Sequence, residues 1–478
     1  MLFRSRRLAI YGTATRNHAG LLEEAARLID AGALTQAGKL LQKAIAMRPD
    51  DAAALHQLAR IALEQKRSND AILYLERAVT ADPNAAQVYV TYGNARRAKG
   101  ELDAAARLYA RAAALQADCA EAYVNLGIVS CERGEIEKGA AFLEQAVQMS
   151  PGSFQAHHNR GEALRALNRH EEAATSYRRA LRINAEAAES QFGLGMSLRA
   201  LGKSDLALAA YRSAAAISPD FSEAYFQAGY LLHGKGRLDE AKICLERVVS
   251  LRPDYPEACN GMGAVLMGLG DQDGAVQWLK RALQLKADFT DAYNNLGMAL
   301  FKLGELEEAK AVFGRALDIN PRSTYAHDNL IVVLGFDVGA GMDEQFAERR
   351  RWQERHVEPL GIGKPRHSNP AEAGRRLRIG YVSGDFRRHS AASGFGPMLL
   401  HHDRTGFEVL CYSNSLDEDD VTTRFRESVD GWRSMFRCRT WRRNGWFGKM
   451  ASIFWSTCPD IRQAIACCCL RESPLRSR

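Results

Sequence analysis

Small and large apolar residues recur every 34 positions through the first two thirds of the chain. Two columns of small residues begin at Ala59 and Ala71, and a column of large apolar residues begins at Leu75. The first column continues through Gly93, Gly127, Gly161, Gly195, Gly229, Gly263 and Gly297. A fourth column holds Pro49, Pro83, Pro151, Pro219, Pro253 and Pro321. Each period therefore predicts two short amphipathic helices that cross at the small residues and end before the proline.

This order of small, small, large apolar and proline residues is typical of the tetratricopeptide (TPR) repeat. We count nine full repeats over residues 18–323, preceded by an N-terminal segment (1–17) and followed by capping and connecting helices (324–359). One repeat cannot bury its apolar face alone, so neighbours are expected to stack into an all-α solenoid, an α-α superhelix with a concave surface. Most of the chain is thus predicted to bind other proteins or peptides.

Polar positions on the first helix of each repeat are the candidate peptide-binding residues. One such column contains Asn125, Asn159, Asn295 and Asn329, with gaps at Gly193 and Gly261. An asparagine amide both donates and accepts hydrogen bonds, so this column can hold the backbone of an extended peptide. A second column is acidic and contains Glu121, Gln155, Glu189, Glu223, Glu257 and Asp291. The alternative, that both columns are ordinary solvated positions, stays open at the level of sequence.

Charge and hydropathy exclude several other functions. The formal net charge is +7 over 478 residues, but residues 436–478 hold nine Lys and Arg against Asp460 and Glu472, so the rest of the chain is neutral overall. A neutral body without a basic stripe disfavours nucleic-acid binding. There is no run of 18 apolar residues for a membrane span, and the basic N-terminus lacks the apolar core of a signal peptide. We therefore expect a cytoplasmic protein without a metal site.

After the repeats the pattern changes to alternating strands and helices. A charged helix (342–359) is followed by a linker rich in Gly and Pro (360–376). Leu377–Ser383 and Phe407–Ser413 are predicted to be strands, with a loop over Gly384–Ser393 and a helix over Phe395–His402 between them. This order predicts an α/β fold with a parallel sheet, in which ligands bind in the loops after the strands.

The same loop carries Asp385, Arg387, Arg388 and His389. The stretches LRIGYVSGDFRRHS, FEVLCYSNS and DDVTTRFRESVDGWR resemble the start of the catalytic domain in TPR-containing protein O-GlcNAc transferases, including the SPINDLY-like members. The helical FAERRRWQERH is similar to the segment that joins repeats and catalytic domain in that family. Residues 377–435 would then begin a GT-B-type glycosyltransferase domain.

The resemblance implies transfer of N-acetylglucosamine, or a related sugar such as fucose, from a UDP-GlcNAc-like donor to Ser or Thr of proteins that the repeats select. No other cofactor is implied. The family loop has the form D-F-x-x-H-P, which makes His389 the candidate catalytic residue, although Ser390 stands where proline is usual. The alternative is a surface-loop histidine without a catalytic role. His401 and His402, at a helix end, are expected to be structural.

The family pattern stops after Met435. Residues 436–478 include the run Cys467, Cys468 and Cys469, which is no tetrahedral metal site. One added nucleotide before suitable codons for KMASIFWSTCPDIR (449–462) gives KDGIDILVDLSGHT, which resembles the next stretch of the family's domain. We expect this tail to be a disordered product of out-of-frame translation. The catalytic domain would then be truncated, without its donor-binding lobe, and inactive alone. The alternative function is a non-catalytic TPR scaffold for protein interactions.

Overall fold

The computed structural model describes residues 18–360, 376–415 and 417–434. The chain divides into two units, residues 1–352 and 353–478. The N-terminal segment 1–17, residues 361–375 of the expected linker and the expected out-of-frame tail lie outside the described residues. None of the helices in the described ranges combines the length and the apolar character that crossing a bilayer needs.

Nine successive helix pairs build the first unit. The first helices of the pairs are α1 (18–30), α3 (Ala52–Glu64), α5 (Ala86–Ala98), α7 (Ala120–Glu132), α9 (Phe154–Ala166), α11 (Ala188–Ala200), α13 (Ser222–Gly234), α15 (Pro256–Leu269) and α17 (Thr290–Leu303). The second helices are α2 (Leu34–Met47), α4 (Ser68–Ala81), α6 (Leu102–Leu115), α8 (Ile136–Met149), α10 (His170–Ile183), α12 (Ser204–Ile217), α14 (Leu238–Leu251), α16 (Gln272–Leu285) and α18 (Leu306–Ile319). Helix α19 (Thr324–Phe336) follows, and α20 (Met342–His356) continues into the second unit.

The small and large columns of the sequence meet inside each pair. A Cβ atom added at Gly297 would lie 2.6 Å from Cζ of Phe313, and one added at Gly127 would lie 2.5 Å from Cγ of Leu143. Phe313 and Leu143 are fully buried. The glycine of the first helix thus leaves the space that the large apolar residue of the second helix fills. The predicted TPR solenoid is confirmed, and this contact is the physical origin of its period.

Two further periodic features shape the turns. Gly100 and Gly134 end a first helix with φ of 77° and 82°, and Lys66 and Asn168 adopt φ of 58° at the same place in neighbouring repeats. Between repeats, arginines of the second helices donate to the carbonyl oxygen of the proline 28 positions earlier. These bonds are Arg77–Pro49 (2.7 Å), Arg247–Pro219 (2.9 Å) and Arg281–Pro253 (2.9 Å). The proline turn that separates two repeats is therefore also a point where they are joined.

The second unit contains a parallel sheet of three strands in the order β1 (Leu377–Ser383), β2 (Phe407–Ser413) and β3 (Gly431–Ser434). A short 3-10 helix, Glu358–Leu360, precedes the sheet; α21 (Ser390–Leu400) lies between the first two strands and α22 (Asp420–Glu427) between the last two. Leu377 pairs with Phe407, and Cys411 pairs with Trp432. Phe386, Leu399 and Val409 form the centre of its core. Both predicted strands are confirmed, as is the parallel sheet.

The predicted boundaries of the helix between β1 and β2 are wrong. Helix α21 begins at Ser390, inside the predicted loop over Gly384–Ser393, and ends at Leu400 rather than His402. The sequence misled because Gly394, Gly396 and Pro397 are poor helix formers. Gly396 has a packing role that offsets this, since a Cβ atom there would lie 3.2 Å from Cζ of Phe425 on α22. The small residue lets the two helices approach closely.

Asp430 joins the start of β3 to β2, and its removal should weaken the sheet. Its Oδ2 accepts from the backbone N of Val409 (2.8 Å), and its carboxylate pairs with Arg376 and Arg404. The hydrogen bond from Val409, then Arg376, lowers the pKa of Asp430, so its contribution exists above the usual Asp pKa of about 3.9 and is lost as pH falls through the folded value. We expect Asp430→Ala to cost about 1–3 kcal/mol.

Hydrogen exchange of residues 407–413 measures this effect. At neutral pH the Asp430→Ala protein should exchange faster than the original protein, and the difference should shrink as the pH falls below the usual Asp pKa of about 3.9. Asp417→Asn is the control, because its carboxylate is exposed and pairs only with Arg387 at the surface. Equal protection in the original and Asp430→Ala proteins at neutral pH would contradict the assignment.

Candidate functional site

A pocket of about 560 Å³ opens between the loop after β1, helix α21 and helix α22. Its lining residues are Arg387, Arg388, His389, Ser390, Ala392, Ser393, Gly396, Pro397, Leu400, His401, Val421, Arg424 and Phe425. Three arginines and two histidines line it, and no carboxylate does. The pocket also includes the first residues of α21, where backbone N–H groups and the helix dipole favour negative charge. Its chemistry therefore suits an anionic ligand.

His389 is the N-cap of α21. Its Nδ1 accepts a hydrogen bond from the backbone N of Ala391 (3.2 Å), so this nitrogen carries the lone pair of the neutral ring. The proton of the neutral imidazole then lies on Nε2, which becomes a hydrogen-bond donor. Oδ2 of Asp385 lies 3.7 Å from Nδ1 and is placed to attract the ring when Nδ1 takes up a proton. Neutral His389 is thus suited to donate from Nε2 to a hydroxyl or phosphate oxygen.

The backbone next to His389 is fixed by the loop after β2. The backbone N of Arg388 donates to Oδ2 of Asp419 (2.7 Å), and the Arg388 guanidinium forms a bidentate pair with Asp420 (2.9 and 2.8 Å). Asp419 also caps α22 by accepting from the backbone N of Thr422 (3.0 Å). The bonds from Arg388 and Thr422 lower the pKa of the Asp419 carboxyl. One ionised carboxylate therefore organises both loops at the carboxyl ends of the strands.

The three arginines of the pocket differ in whether they form ion pairs within the protein. Arg387 contacts Asp417 (3.2 Å) and Arg388 contacts Asp420. Arg424 makes no ion pair with any residue in the described ranges, which leaves its full charge for a ligand. Arg424 was not predicted as a site residue, because its place in the same pocket as His389 depends on how α22 packs against α21. No spacing along the chain encodes that.

The two histidines at the end of α21 have different surroundings. His402 Nε2 contacts the Tyr381 hydroxyl, its ring lies 5.8 Å from that of Phe407, and burial lowers its pKa. These contacts make it part of the packing, in agreement with its expected structural role. His401, which was expected to be structural as well, is exposed and lines the pocket. That expectation for His401 needs correction.

The four candidate asparagines of the repeats are half-buried, and three of them already use an amide N–H in a bond within the protein. Asn159 Nδ2 donates to the Gln155 carbonyl (2.8 Å) within α9. Asn295 donates to Asn260 (2.9 Å), and Asn329 donates to Asn294 (2.8 Å), each across to the preceding repeat. The Asn125 side chain makes no hydrogen bond within the described part of the chain, so its amide is the most available of the four.

The acidic column is largely paired. Glu223 contacts Arg252 (2.7 Å) and Glu257 contacts Lys286 (3.4 Å). Glu121 accepts from Gln87 Nε2 (2.9 Å) of the preceding repeat. Glu223 and Glu257 thus pair within their own repeats, and only Glu121 of these three bonds to a neighbouring repeat. These structural contacts do not require a peptide ligand. Among the described residues, no group of three or more His, Cys, Asp or Glu side chains comes together as a metal site.

Family comparisons agree with both parts of the fold. Tetratricopeptide-repeat models match residues 28–91, 92–154, 158–222, 222–255, 265–304 and 290–323. The model described as Glycosyl transferase family 41 matches residues 360–436, the segment that contains the pocket. In both parts the chain is similar to O-GlcNAc transferases that carry TPR repeats. The match to a transferase family lies where the loop of His389 meets the sheet.

Individual relatives are similar over short segments. The rice protein "Probable UDP-N-acetylglucosamine--peptide N-acetylglucosaminyltransferase SPINDLY" is 35% identical over 95 residues, which is 20% of this chain and 10% of the relative. The Caenorhabditis elegans UDP-N-acetylglucosamine--peptide N-acetylglucosaminyltransferase is 37% identical over 76 residues, 16% of this chain and 6% of its own length. The structure of a Thermobaculum terrenum O-GlcNAc transferase mutant is 29% identical, covers 46% of this chain and 42% of that one, and has a TM-score of 0.39.

Proposed function

We propose that this chain carries the substrate-selecting arm and the first part of the catalytic domain of a protein O-GlcNAc transferase. The reaction would move N-acetylglucosamine from a UDP-GlcNAc-like donor to Ser or Thr hydroxyls. The observation that supports this most strongly is the basic pocket around His389, because it lies within the segment matched by glycosyltransferase family 41. A TPR solenoid on the same chain supplies a surface for protein acceptors.

In this proposal His389 positions a reactant through Nε2–H. Since Nδ1 is used by the helix cap, the neutral ring donates a hydrogen bond and does not accept a proton at Nε2. Arg424 and the N-terminus of α21 would attract the negative charge of the donor's diphosphate or of the departing nucleotide. Asp385, 3.7 Å from Nδ1, would hold the ring if it becomes charged.

Acceptor proteins would be selected by the first helices of the repeats. Asn125 has the free amide that a peptide backbone needs, whereas Asn159, Asn295 and Asn329 would offer their carbonyl oxygens or exchange an existing bond. The binding of an acceptor peptide would therefore be strongest near Asn125. We further propose a cytoplasmic location, where protein acceptors and nucleotide sugars occur together.

A labelled-sugar transfer assay with UDP-GlcNAc and Ser/Thr peptides tests the proposal. DNA sequence across codons 430–478 first shows whether one nucleotide restores the family's reading frame. We expect the frame-restored protein to transfer sugar and the 478-residue chain to bind acceptor peptides without turnover. Turnover by the 478-residue chain would contradict the expectation that it is inactive alone. A frame-restored protein that transfers no sugar to any acceptor would contradict the transferase assignment.

Two substitutions at His389 separate its chemistry from its role as a cap. Asparagine is a good N-cap, so His389→Asn should keep α21 and remove only the imidazole. In the frame-restored protein we expect His389→Asn to lower kcat at least about 100-fold. His389→Ala should lose as much activity and also destabilise the helix by about 1 kcal/mol. If the His389→Asn variant kept the original kcat, the role of His389 would be limited to capping α21.

The second candidate function is a non-catalytic TPR scaffold. It is favoured by the share of the described residues that is solenoid, since nine helix pairs precede a sheet that has three strands within those residues. The transferase proposal stands if the 478-residue chain binds peptides and residues 436–478 prove to be an out-of-frame sequence that does not occur in cells. Peptide binding with a tail that is present and in frame would favour the scaffold.

A further inference from the structure

The repeat pattern is broken at one place on α7. Ser130 occupies a position that holds Leu28, Ala62 and Arg96 in the three earlier repeats, and leucine in the five later repeats and in helix α19. These leucines are Leu164, Leu198, Leu232, Leu266, Leu300 and Leu334, and all are buried. Ser130 is buried as well, at 3% exposure, but its side chain has two fewer heavy atoms than leucine. A position that fills space between helices in the later repeats is therefore underfilled here.

The helix that faces Ser130 is also short of side-chain volume. Helix α6 presents Ala106, Ala110, Ala113 and Ala114 toward it. At the position of Ala113 the other repeats hold Ile45, Val79, Val147, Leu181, Ala215, Val249, Leu283 and Leu317. Small residues on both sides leave a pocket of about 500 Å³ between α6, α7 and α8. We name it the α6–α8 pocket; it is far along the chain from the loop of His389.

The walls of the α6–α8 pocket are apolar and aromatic. Tyr123 of α7 and Phe142 of α8 line it, with ring centroids 6.3 Å apart, and Leu126 lies beside them. The Ser130 hydroxyl also lines the pocket and makes no hydrogen bond within the described ranges. A nearly buried hydroxyl without a partner, set among aromatic rings, suits a ligand that brings both apolar surface and an N–H donor.

The rim of the α6–α8 pocket is positively charged. Arg107, Arg133 and Lys138 line it against one carboxylate, Asp103. Arg133 is paired with Asp103 (3.1 Å), and both Arg133 and Lys138 contact Glu135 (3.0 Å each). Arg107 forms no ion pair with any described residue, so its charge is not neutralised by the protein. A ligand that complements this rim carries a negative charge next to its apolar part.

We propose that the α6–α8 pocket is a docking site for a partner protein, and that it takes a tryptophan side chain flanked by acidic residues. The indole would fill the space left by Ser130 and Ala113, and its N–H would donate to the Ser130 hydroxyl. An adjacent Glu or Asp of the partner would pair with Arg107. This site recruits a partner by a short motif and is separate from the asparagine positions of the first helices, so it extends the proposed function and does not depend on it.

Fluorescence anisotropy with synthetic labelled octapeptides tests the docking site on the 478-residue chain. The probes carry one central Trp, Leu or Ala between Glu residues, and a fourth carries Trp between Lys residues. We expect binding in the order Trp, Leu, Ala within the acidic series, with Trp at least about tenfold tighter than Ala. The Lys-flanked peptide should bind at least about tenfold more weakly than the acidic Trp peptide.

Variants of the pocket separate volume, hydrogen bond and charge. Ser130→Leu installs the residue of the five later repeats, so it should fold and should weaken the acidic Trp peptide at least about tenfold. Ser130→Ala keeps the space, so it should weaken the Trp peptide a few-fold and leave the Leu peptide unchanged. Arg107→Glu should weaken both, whereas Arg111→Glu, exposed on the same helix outside the pocket, should not.

Circular dichroism confirms that each variant is folded before binding is measured. The proposal is overturned if no acidic Trp peptide binds the original protein, if Ser130→Leu binds it equally well, or if Arg107→Glu and Arg111→Glu weaken it equally. Equal weakening by Arg107→Glu and Arg111→Glu would indicate non-specific electrostatic attraction of the acidic peptide. No sugar donor enters this assay, so its failure would leave the transferase proposal untouched, and the failure of sugar transfer would leave the docking site untouched.

Discussion

Replacement of Tyr177 by alanine is expected to lower the free energy of unfolding of the repeat region by about 3–5 kcal/mol. Tyr177 on α10 is fully buried. Its ring occupies the space in front of two glycines, because Cβ atoms added at Gly161 and Gly193 would lie 2.7 and 2.5 Å from ring atoms. These glycines belong to α9 and α11, so the ring packs against two successive repeats. Its loss would leave a cavity that neither helix can close without moving.

The Tyr177 hydroxyl allows a milder variant. It donates to Glu162 Oε1 (2.5 Å), and burial raises the pKa of Tyr177, so it stays a donor at every working pH. Tyr177→Phe keeps the ring and loses this bond, which should cost about 1 kcal/mol, since Glu162 keeps its contact with Arg165 (2.6 Å). Tyr230→Ala is the control because Tyr230 is 59% exposed and should change stability by less than about 0.5 kcal/mol.

Urea unfolding followed by circular dichroism, with hydrogen exchange of α9–α11, measures these effects. Local exchange is needed because repeat arrays do not always unfold in one step. The expected order of protection is original protein, Tyr177→Phe, then Tyr177→Ala. If Tyr177→Ala showed the same stability and exchange protection as Tyr230→Ala, the Tyr177 ring would not hold the repeats of α9 and α11 together.

Alanine at two glycines of the last repeat should have opposite effects. A Cβ atom at Gly297 would lie 2.6–2.8 Å from ring atoms of Phe313, whereas a Cβ atom at Gly314 would have no atom within 4 Å. Gly297→Ala should therefore force the ring aside and destabilise the chain by about 1–3 kcal/mol. Gly314→Ala gains helix propensity without a clash and should stabilise it by about 0.5–1 kcal/mol.

The same unfolding measurement distinguishes the two glycine variants, and each is the control for the other. Both glycines lie inside helices, at α17 and α18, and neither has a positive φ. Backbone conformation therefore does not separate them, and only the space around the added carbon does. Destabilisation of equal size at both positions would show that the glycine column reflects something other than close packing.

The repeats could be predicted from sequence because each column corresponds to one contact inside a helix pair. Gly93 and Tyr109, for example, are 16 residues apart and touch in the structure, so a regular spacing is enough to place them. The strands β1 and β2 were also visible as alternating apolar runs. Strand β3 was not predicted, because Gly431–Ser434 is too short to show a period.

The candidate site was less predictable. His389 was found through a motif, but its role as a helix cap depends on a bond to Ala391 that motif spacing does not show. Arg424 and Asp419 reach the site through packing of α22, and the amides of Asn295 and Asn329 are used by partners 35 positions away. Such pairings arise from tertiary structure, so the sequence predicted the residue types present but not their availability.

The arginine–proline bonds between repeats have a mechanical consequence. Each one joins a second helix only to the turn just before its own repeat, and the glycine contacts likewise link helices of the same or the next repeat. When the solenoid is stretched along its axis, the strain is therefore distributed over small rotations between neighbouring repeats and is not concentrated at one contact. The repeat region should therefore be elastic. It should lengthen when it binds a large partner and return to its original length without unfolding.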